Sequence, residues 1–295
     1  MTAPKIPNCT RVARSIRYRW VAGALALLAL GIVFAAWTAP ARAAASVRDW
    51  RHVWQVVDML RAQPPEVPAV YYLGDSTARE SVVSDEQWST QMEALAGGSV
   101  PAYTLAGHNQ TFGMDLQIVR ALPRSSGVVL IGVCLSRFIG PPTGKARALS
   151  PVAAAGTLSP WRRHHYDNRR PFRAAHKRTL VPRWLEKHLA AFTRHRVANL
   201  ETLGKVIEAA RERGLTPLLI DLPLNEAVVK RGLDAPRSSY RHGCRLLAAK
   251  HGIRYVSFLR SLRLGSHAYF DICHLMRKGS VRWQSRLSRE VARLL

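Results

Sequence analysis

Acidic residues are scarce in this chain. Its 295 residues include 19 Asp and Glu against 44 Lys and Arg, which gives a formal net charge of +25. Such an excess is typical of proteins with a polyanionic partner, whether nucleic acid, anionic lipid or an acidic polymer. A basic surface that is only solvated fits the same composition. Charge alone therefore does not choose a substrate.

Cysteine is also rare, which limits the possible folds and sites. The four cysteines are Cys9, Cys134, Cys244 and Cys273, and no two of them have the spacing of a metal-binding C-x-x-C pair. They are too few for a scaffold built on disulfides. We expect no metal and no cofactor. Hydrophobic residues make up 47% of the chain, which excludes a disordered class.

Long apolar runs are absent except for one near the N-terminus. Residues 20–37 carry no charge, and eighteen helical residues span roughly 27 Å, close to the thickness of a bilayer core. The preceding segment is basic and contains no acidic residue. The positive-inside rule therefore predicts a cytoplasmic tail at 1–19, a membrane span at 20–38 and an extracytoplasmic domain at 46–295.

Two outcomes fit this apolar segment. It stays in the membrane as a single-pass signal anchor, or it is a signal peptide removed near Ala43, because Ala41-Arg42-Ala43 has the form of a cleavage site. The run is longer than an ordinary signal-peptide core of about 7–15 residues, which favours the anchor. Both outcomes place the main domain outside the cytoplasm, which argues against nucleic acid as a partner.

Short apolar runs alternate with amphipathic stretches through the rest of the chain. Strands are predicted at 67–73, 100–106, 127–135, 216–222 and 253–259, and helices at 46–62, 82–95, 113–122, 194–213, 236–251 and 277–294. This alternation is typical of α/β proteins, and five strands predict a flavodoxin-like, doubly wound parallel sheet. Ligands of such sheets bind at the carboxyl ends of the strands.

An insert at about 137–190 interrupts the alternation. It contains a basic run at 161–178 with interleaved aromatic residues. Because the insert follows the carboxyl end of a strand, we expect it beside the site, as a lid or as a partner surface; a solvated loop fits too. Guanidinium groups pair well with carboxylates and phosphates. We therefore predict that the run borders the site and recruits an anionic glycan, a lipid head group or a membrane partner.

The segment Gly74-Asp75-Ser76-Thr77 follows the first predicted strand. A serine at this position lies at the start of the next helix, where backbone N–H groups stabilise an oxyanion. A helix cap is the alternative interpretation, since Thr77 and Glu80 have the spacing of a capping box. Serine is a poor nucleophile alone, so catalysis would require a base that is oriented by a third group.

Asp271 and His274 meet this requirement near the C-terminus, before the last predicted helix. A spacing of three places both side chains on one face of a helical turn. Asp271 would then accept a hydrogen bond from one ring nitrogen of His274 and leave the other nitrogen to act as the base. A surface or core histidine is the alternative. The partner acid and the upstream serine favour a catalytic role.

G-D-S after the first strand and D-x-x-H before the last helix resemble the SGNH/GDSL hydrolase superfamily, over about residues 67–295. The resemblance implies that Ser76 is the nucleophile, His274 the base and Asp271 its orienting acid. It also implies that the backbone N–H of Ser76 forms part of the oxyanion hole. A glycine after the second strand should add an N–H group there. Gly107 is the nearest glycine, and Asn109 is the alternative.

The end of the third strand departs from the family pattern. The pattern expects G-x-N-D, whose asparagine donates to the oxyanion, whereas this chain has Gly132-Val133-Cys134-Leu135. Cysteine is a weak donor. Either Asn109 supplies the amide from the neighbouring loop or the hole lacks a donor, which typically costs about 10²–10³ in rate. Cys134 and Cys273 both belong near the site, as two small hydrophobes or as a disulfide.

An N-terminal anchor with an external domain of this kind is similar to proteins that modify cell-envelope polymers, including D-alanyl-lipoteichoic acid biosynthesis and alginate O-acetylation proteins. These work beside a multispanning membrane O-acyltransferase. The resemblance implies a serine esterase or O-acyltransferase that acts through an acyl-enzyme on acylated cell-envelope glycans or lipids. The alternative is a non-catalytic scaffold of the same fold that binds an anionic polymer or a membrane O-acyltransferase.

Overall fold

The computed structural model of this chain describes residues 49–143, 166 and 169–295. The predicted cytoplasmic tail, the membrane span at 20–38 and the cleavage site near Ala43 lie outside the described residues. Within the part of the chain that the structure describes, no helix combines the length and the apolar character needed to cross a bilayer.

A single parallel sheet organises the described residues. Its strands are β1 (Ala69–Gly74), β2 (Ala102–Ala106), β3 (Gly127–Val133), β4 (Thr216–Asp221) and β5 (Arg254–Ser257). They pair in the order β2-β1-β3-β4-β5, and every neighbouring pair is parallel. This is the flavodoxin-like strand order. The predicted α/β class and the five-stranded parallel sheet are therefore confirmed.

Helices cover both faces of the sheet. They are α1 (49–62), α2 (Ser76–Arg79), α3 (Asp85–Ala96), α4 (Phe112–Ala121), α5 (Ala174–Glu212), α6 (Glu226–Val229), α7 (Asp234–Lys250) and α8 (Arg277–Val291). Successive strand residues point to opposite faces, so that Tyr71 packs in one hydrophobic cluster and Tyr72 in the other. The continuous apolar runs of β1, β2, β3 and β4 reflect burial on both sides.

Helix α5 differs most from the sequence-based expectation. It begins at Ala174, about twenty residues before the predicted start at 194, and contains Pro182. Proline removes one backbone hydrogen bond from a helix interior, so its presence argued against a helix. The basic residues around Pro182 also hide the apolar periodicity by which a helix is recognised in the sequence. The insert predicted at 137–190 therefore ends in helix from Ala174 onward. The helix predicted at 82–95 begins at Asp85 instead, because Ser84 caps it by accepting the Gln87 N–H at 3.0 Å.

Candidate active site

Ser76 is the first residue of α2 and lies two residues after the end of β1, at the carboxyl edge of the sheet. The turn requires a glycine at position 74, because a Cβ there would lie 2.4 Å from the Cβ of Ala78. Asp75 caps α2, since its Oδ1 accepts the Thr77 N–H at 2.9 Å. The cap is thus Asp75 and not the Thr77–Glu80 box, which leaves Ser76 at the start of the helix.

Three side chains form one chain of hydrogen bonds. The Ser76 Oγ lies 2.9 Å from the His274 Nε2, and the His274 Nδ1 lies 2.7 Å from the Asp271 Oδ2. The predicted arrangement of Ser76, His274 and Asp271 is therefore present in the structure. Their catalytic roles stay a prediction that geometry alone does not test.

The local conformation of the Asp271–His274 segment is not the helical turn that the spacing suggested. The segment is an irregular loop, closed by an antiparallel bridge between Tyr269 and Leu275. The Asp271 Oδ1 accepts the backbone N–H groups of Cys273 at 2.9 Å and His274 at 2.8 Å. These two bonds hold the carboxylate under the imidazole without a helix.

The surroundings of Asp271 and His274 lower the pKa of the aspartate and raise the pKa of the histidine. Burial tends to raise the pKa of Asp271, but the charge of His274 and hydrogen bonds from its ring and from two backbone N–H groups bring the pKa down to about 2. Burial tends to lower the pKa of His274, but contact with Cys273 and the carboxylate of Asp271 hold it well above its ordinary value. Asp271 is therefore ionised at neutral pH and suited to stabilise an imidazolium.

The loop after β2 does not present Gly107 as a donor. The Gly107 N–H donates within its surroundings, to the Gln110 Oε1 at 2.8 Å and to the Gly74 carbonyl at 3.2 Å. The Gln110 amide in turn donates to the Leu105 carbonyl at 2.9 Å. The expectation that the Gly107 N–H faces the oxyanion therefore does not fit this structure. Asn109 is exposed on the same loop, with a positive φ of 56°.

The segment after β3 contacts Asp75, the residue before Ser76, through hydrogen bonds. The Ser136 hydroxyl donates a hydrogen bond to the Asp75 Oδ2, and the Cys134 thiol lies 3.4 Å from the same oxygen. Cys134, Cys244 and Cys273 are free thiols, so the disulfide left open by the sequence is not formed. Burial raises the pKa of the Cys134 and Cys273 thiols.

An aromatic cluster borders the triad, formed by Tyr166, Phe172 and Phe270. The Tyr166 ring stacks on Phe270 with 4.5 Å between centroids and meets the His274 ring edge-on at 5.6 Å. Phe172 lies 4.8 Å from Phe270, and the Arg169 guanidinium lies 5.5 Å from the Tyr166 centroid. The described part of the basic run thus lies beside the triad. Its interleaved aromatic residues were the sequence signal for this position.

Lys177 fixes the start of α5 against the loop that carries Asp271 and His274. Its side chain is buried, and the ammonium group donates to the carbonyls of Ser266 at 2.8 Å and Tyr269 at 2.6 Å. The Phe172 N–H donates to the Phe270 carbonyl at 2.9 Å. These bonds join the basic run to the segment just before Asp271. They therefore hold the basic run beside the loop that contains Asp271 and His274.

Arg79 is a buried residue of the site that the sequence did not indicate. It lies one turn after Ser76 and forms ion pairs with Asp49 of α1 and with Glu80. Asp49 also accepts the backbone N–H of His108 at 3.1 Å. This network of ion pairs and hydrogen bonds joins α1, α2 and the loop after β2.

Within the described residues, one set of potential metal ligands converges, namely Asp271, Cys273 and His274, whose ligand atoms lie within 4.8 Å of one another. The imidazole already bonds Ser76 and Asp271. Asp271 and His274 therefore serve the hydrogen-bond chain of the triad.

No family model and no curated protein matches the chain. The matching solved structures are consistently GDSL-type lipolytic enzymes, esterases and acylhydrolases. They include a GDSL-like lipase from Bacteroides thetaiotaomicron (10% identity, 83% of this chain, 100% of that chain, TM-score 0.45). A lipolytic G-D-S-L family member from Veillonella parvula shows 13% identity, coverages of 78% and 100% and a TM-score of 0.48. A catalytic mutant of an acetylxylan esterase from Geobacillus stearothermophilus shows 10% identity over 76% of this chain and 94% of that chain, with a TM-score of 0.47. At 10–14% identity this likeness concerns the fold.

Proposed function

We propose that this chain is a serine-dependent ester hydrolase or acyl transferase of the SGNH/GDSL type. The observation that carries the proposal is the continuous hydrogen-bond chain from Ser76 through His274 to Asp271. It joins the start of α2 to a loop 198 residues away in sequence, and it lies where ligands of a doubly wound sheet bind. Nucleophile, base and orienting acid are the three groups that acyl transfer requires.

The reaction follows from these positions. The Ser76 oxygen adds to the ester carbonyl while its proton passes to the His274 Nε2. The tetrahedral intermediate then collapses: the bond to the alcohol oxygen breaks, and His274 returns the proton to that oxygen. The acyl-enzyme that remains is attacked by water or by a glycan hydroxyl, which gives its proton to His274. Ser76 recovers that proton when the acid or the new ester departs.

The oxyanion would be held first by the backbone N–H of Ser76. At the first position of α2 this group has no acceptor within the helix, so it is available to a developing negative charge. We propose Asn109 as the second donor, because its side chain is exposed on the adjacent loop while the Gly107 N–H is already bonded. Asn109→Ala should lower kcat about 10²-fold if the amide stabilises the transition state. An unchanged kcat would remove Asn109 from the site.

Labelling with a fluorophosphonate probe tests the proposal. Wild-type protein should be labelled at Ser76, and Ser76→Ala should lose both the label and ester hydrolysis. Ser261→Ala is the matched control, because Ser261 is an exposed serine outside the triad. Labelling that persists in Ser76→Ala would reject the assignment.

The scaffold alternative rests on two features, the cysteine at position 134 and the engaged Gly107 N–H. It predicts that the wild type takes no label and hydrolyses no ester, yet binds an anionic polymer. The same preparation should therefore be assayed for both activities. Polymer binding without labelling would favour the scaffold.

We further propose that the acceptor or alcohol side of the ester lies over the aromatic cluster. Aromatic ring faces and the guanidinium groups of Arg169, Arg170 and Arg173 suit an anionic glycan or lipid head group. The contact of Tyr166 with His274 supports this placement. Binding should weaken as ionic strength rises, because exposed charges are screened over about 8 Å at physiological salt.

Substitution of Arg169, Arg170 and Arg173 by Gln tests recruitment. We expect the triple variant to lose binding to an acidic glycan or to anionic vesicles at low salt. Lys205, Arg282 and Arg289, which are exposed, provide a control variant of equal charge change. Equal binding by the two variants would show that only total charge matters.

The choice between hydrolase and transferase depends on the acyl acceptor. A transferase should pass the acyl group to a sugar hydroxyl in preference to water, which product analysis with a glycan acceptor would detect. We also propose an extracytoplasmic domain, on the basis of the charge asymmetry around residues 20–37. A C-terminal reporter that is active only in the cytoplasm would contradict it.

A further inference from the structure

An apolar cavity of about 210 Å³ lies beside the triad. Its wall includes Thr77, which follows Ser76, and Cys273, which precedes His274. The cavity therefore adjoins the two segments that carry the proposed nucleophile and base. It differs from the aromatic cluster, none of whose members lines it.

The lining of the cavity is uncharged in a chain of strong positive charge. No Asp, Glu, Lys or Arg is among the described residues that line it, although the chain carries 44 Lys and Arg. Apolar side chains come from three places, the turn after β3 (Ile139), the segment after β4 (Leu222, Leu224) and the triad loop (Ile272). The Tyr240 hydroxyl at the wall already donates to Asp221 at 2.6 Å. Such a surface favours a hydrocarbon over a sugar or a phosphate.

The outer wall is contributed by the first half of α5. Trp184 and His188 stand one turn apart on the same helix face, with 5.8 Å between their ring centroids, and both line the cavity. Burial lowers the pKa of His188, which keeps its ring neutral. The part of α5 that precedes position 194 therefore closes the pocket.

We propose that this cavity is the acyl pocket and that it selects medium-length chains. The inference rests on the proposed function and adds the acyl class to it. A cavity of about 150 Å³ lined by apolar residues accommodates benzene, so the larger volume here suits an acyl chain of about four to eight carbons. Ile139 and Trp184 are the specificity-determining residues, since both line the cavity and each would contact the acyl chain from a different element, the turn after β3 and helix α5.

Hydrolysis of p-nitrophenyl esters from acetyl to palmitoyl measures the selectivity. For the full-length wild type, we expect the highest kcat/KM with butyryl to octanoyl esters. Ile139→Trp should lower the ratio of kcat/KM for octanoyl over acetyl esters about tenfold or more. Trp184→Ala should shift the preference to longer chains. Ile139 and Trp184 are both partly exposed, which favours folding of the variants.

Leu189→Ala is the matched control, because Leu189 is exposed on α5 and does not line the cavity. Its octanoyl-to-acetyl ratio should equal that of the wild type. The proposal is overturned if the chain-length profile is the same in the wild type, Ile139→Trp and Trp184→Ala. A wild type that hydrolyses only acetyl esters would overturn it as well.

Binding of octanoate to the Ser76→Ala variant, measured by calorimetry, separates the two proposals because it needs no turnover. We expect binding to Ser76→Ala and at least tenfold weaker binding once Ile139→Trp is added. Absence of octanoate binding to Ser76→Ala overturns the acyl pocket. Binding that depends on Ile139, in a protein that takes no probe and cleaves no ester, supports the pocket and rejects the proposed esterase.

Discussion

The ring of Tyr166 stands edge-on to the ring of His274, with 5.6 Å between the two centroids. Tyr166 belongs to the basic run, whereas His274 belongs to the loop before α8. The tyrosine ring also stacks on Phe270, with 4.5 Å between centroids. This contact places a residue of the insert directly against the proposed catalytic base.

Loss of the Tyr166 ring should therefore disturb the base. We expect Tyr166→Ala to lower kcat/KM for ester hydrolysis about tenfold or more, because small displacements of reacting groups are costly. Tyr166→Phe keeps the ring contacts and should retain most of the activity. The measurement is steady-state hydrolysis of a butyryl ester. Equal losses in the two variants would assign the effect to the hydroxyl group instead.

The pH profile should follow His274. Only the neutral imidazole accepts the serine proton, so kcat/KM should rise with pH through the pKa of His274. Because Asp271 holds that pKa above its ordinary value of 6.5, the midpoint of the rise should lie above pH 6.5. Asp271→Asn should move the midpoint to lower pH and reduce kcat by up to about 10⁴-fold.

Asp58→Asn provides the control for this profile, since Asp58 is an exposed acid of α1. It should leave the midpoint where the wild type has it. A wild-type midpoint at or below 6.5 would contradict the expected influence of Asp271 on the base.

Cys134 offers a gain-of-function test. By the resemblance to the SGNH/GDSL pattern, it stands where an oxyanion-donating asparagine is expected, and its thiol lies 3.4 Å from the Asp75 Oδ2. Cys134→Asn should raise kcat for an acetyl ester about tenfold, because an amide is a far better donor than a thiol. Cys134→Ala removes the thiol without adding a donor and should not accelerate hydrolysis. Acceleration in both variants would point to packing.

The buried Arg137–Asp115 ion pair should stabilise the fold around the site. Both side chains are fully buried, 2.5 Å apart, and Asp115 also accepts from Gln110 at 2.7 Å. Asp115→Ala should lower the free energy of unfolding by about 3–5 kcal/mol, because it leaves a buried guanidinium uncompensated. Urea unfolding measures this. The double variant Asp115→Leu/Arg137→Met should lose less; an equal or greater loss would show that the unpaired charge is not the cause.

Much of the fold could be predicted from local patterns. The apolar runs marked all five strands to within a few residues. For β1 to β4 the reason is burial on both faces, which makes a strand apolar throughout. The start of α5 could not be found in this way. Pro182 and the basic residues around it resemble a loop locally, whereas helix formation there follows from packing, as the buried ammonium of Lys177 illustrates.

The sequence by itself indicated which residues compose the proposed triad, because G-D-S after the first strand and D-x-x-H before the last helix together resemble the SGNH/GDSL pattern. Only the tertiary structure decided what surrounds them. The bonded state of the Gly107 N–H, the contact of Tyr166 with His274 and the cavity closed by Trp184 all join segments far apart in the chain. Such distances depend on strand order and on packing between helices, and neither periodicity nor spacing along the chain encodes them.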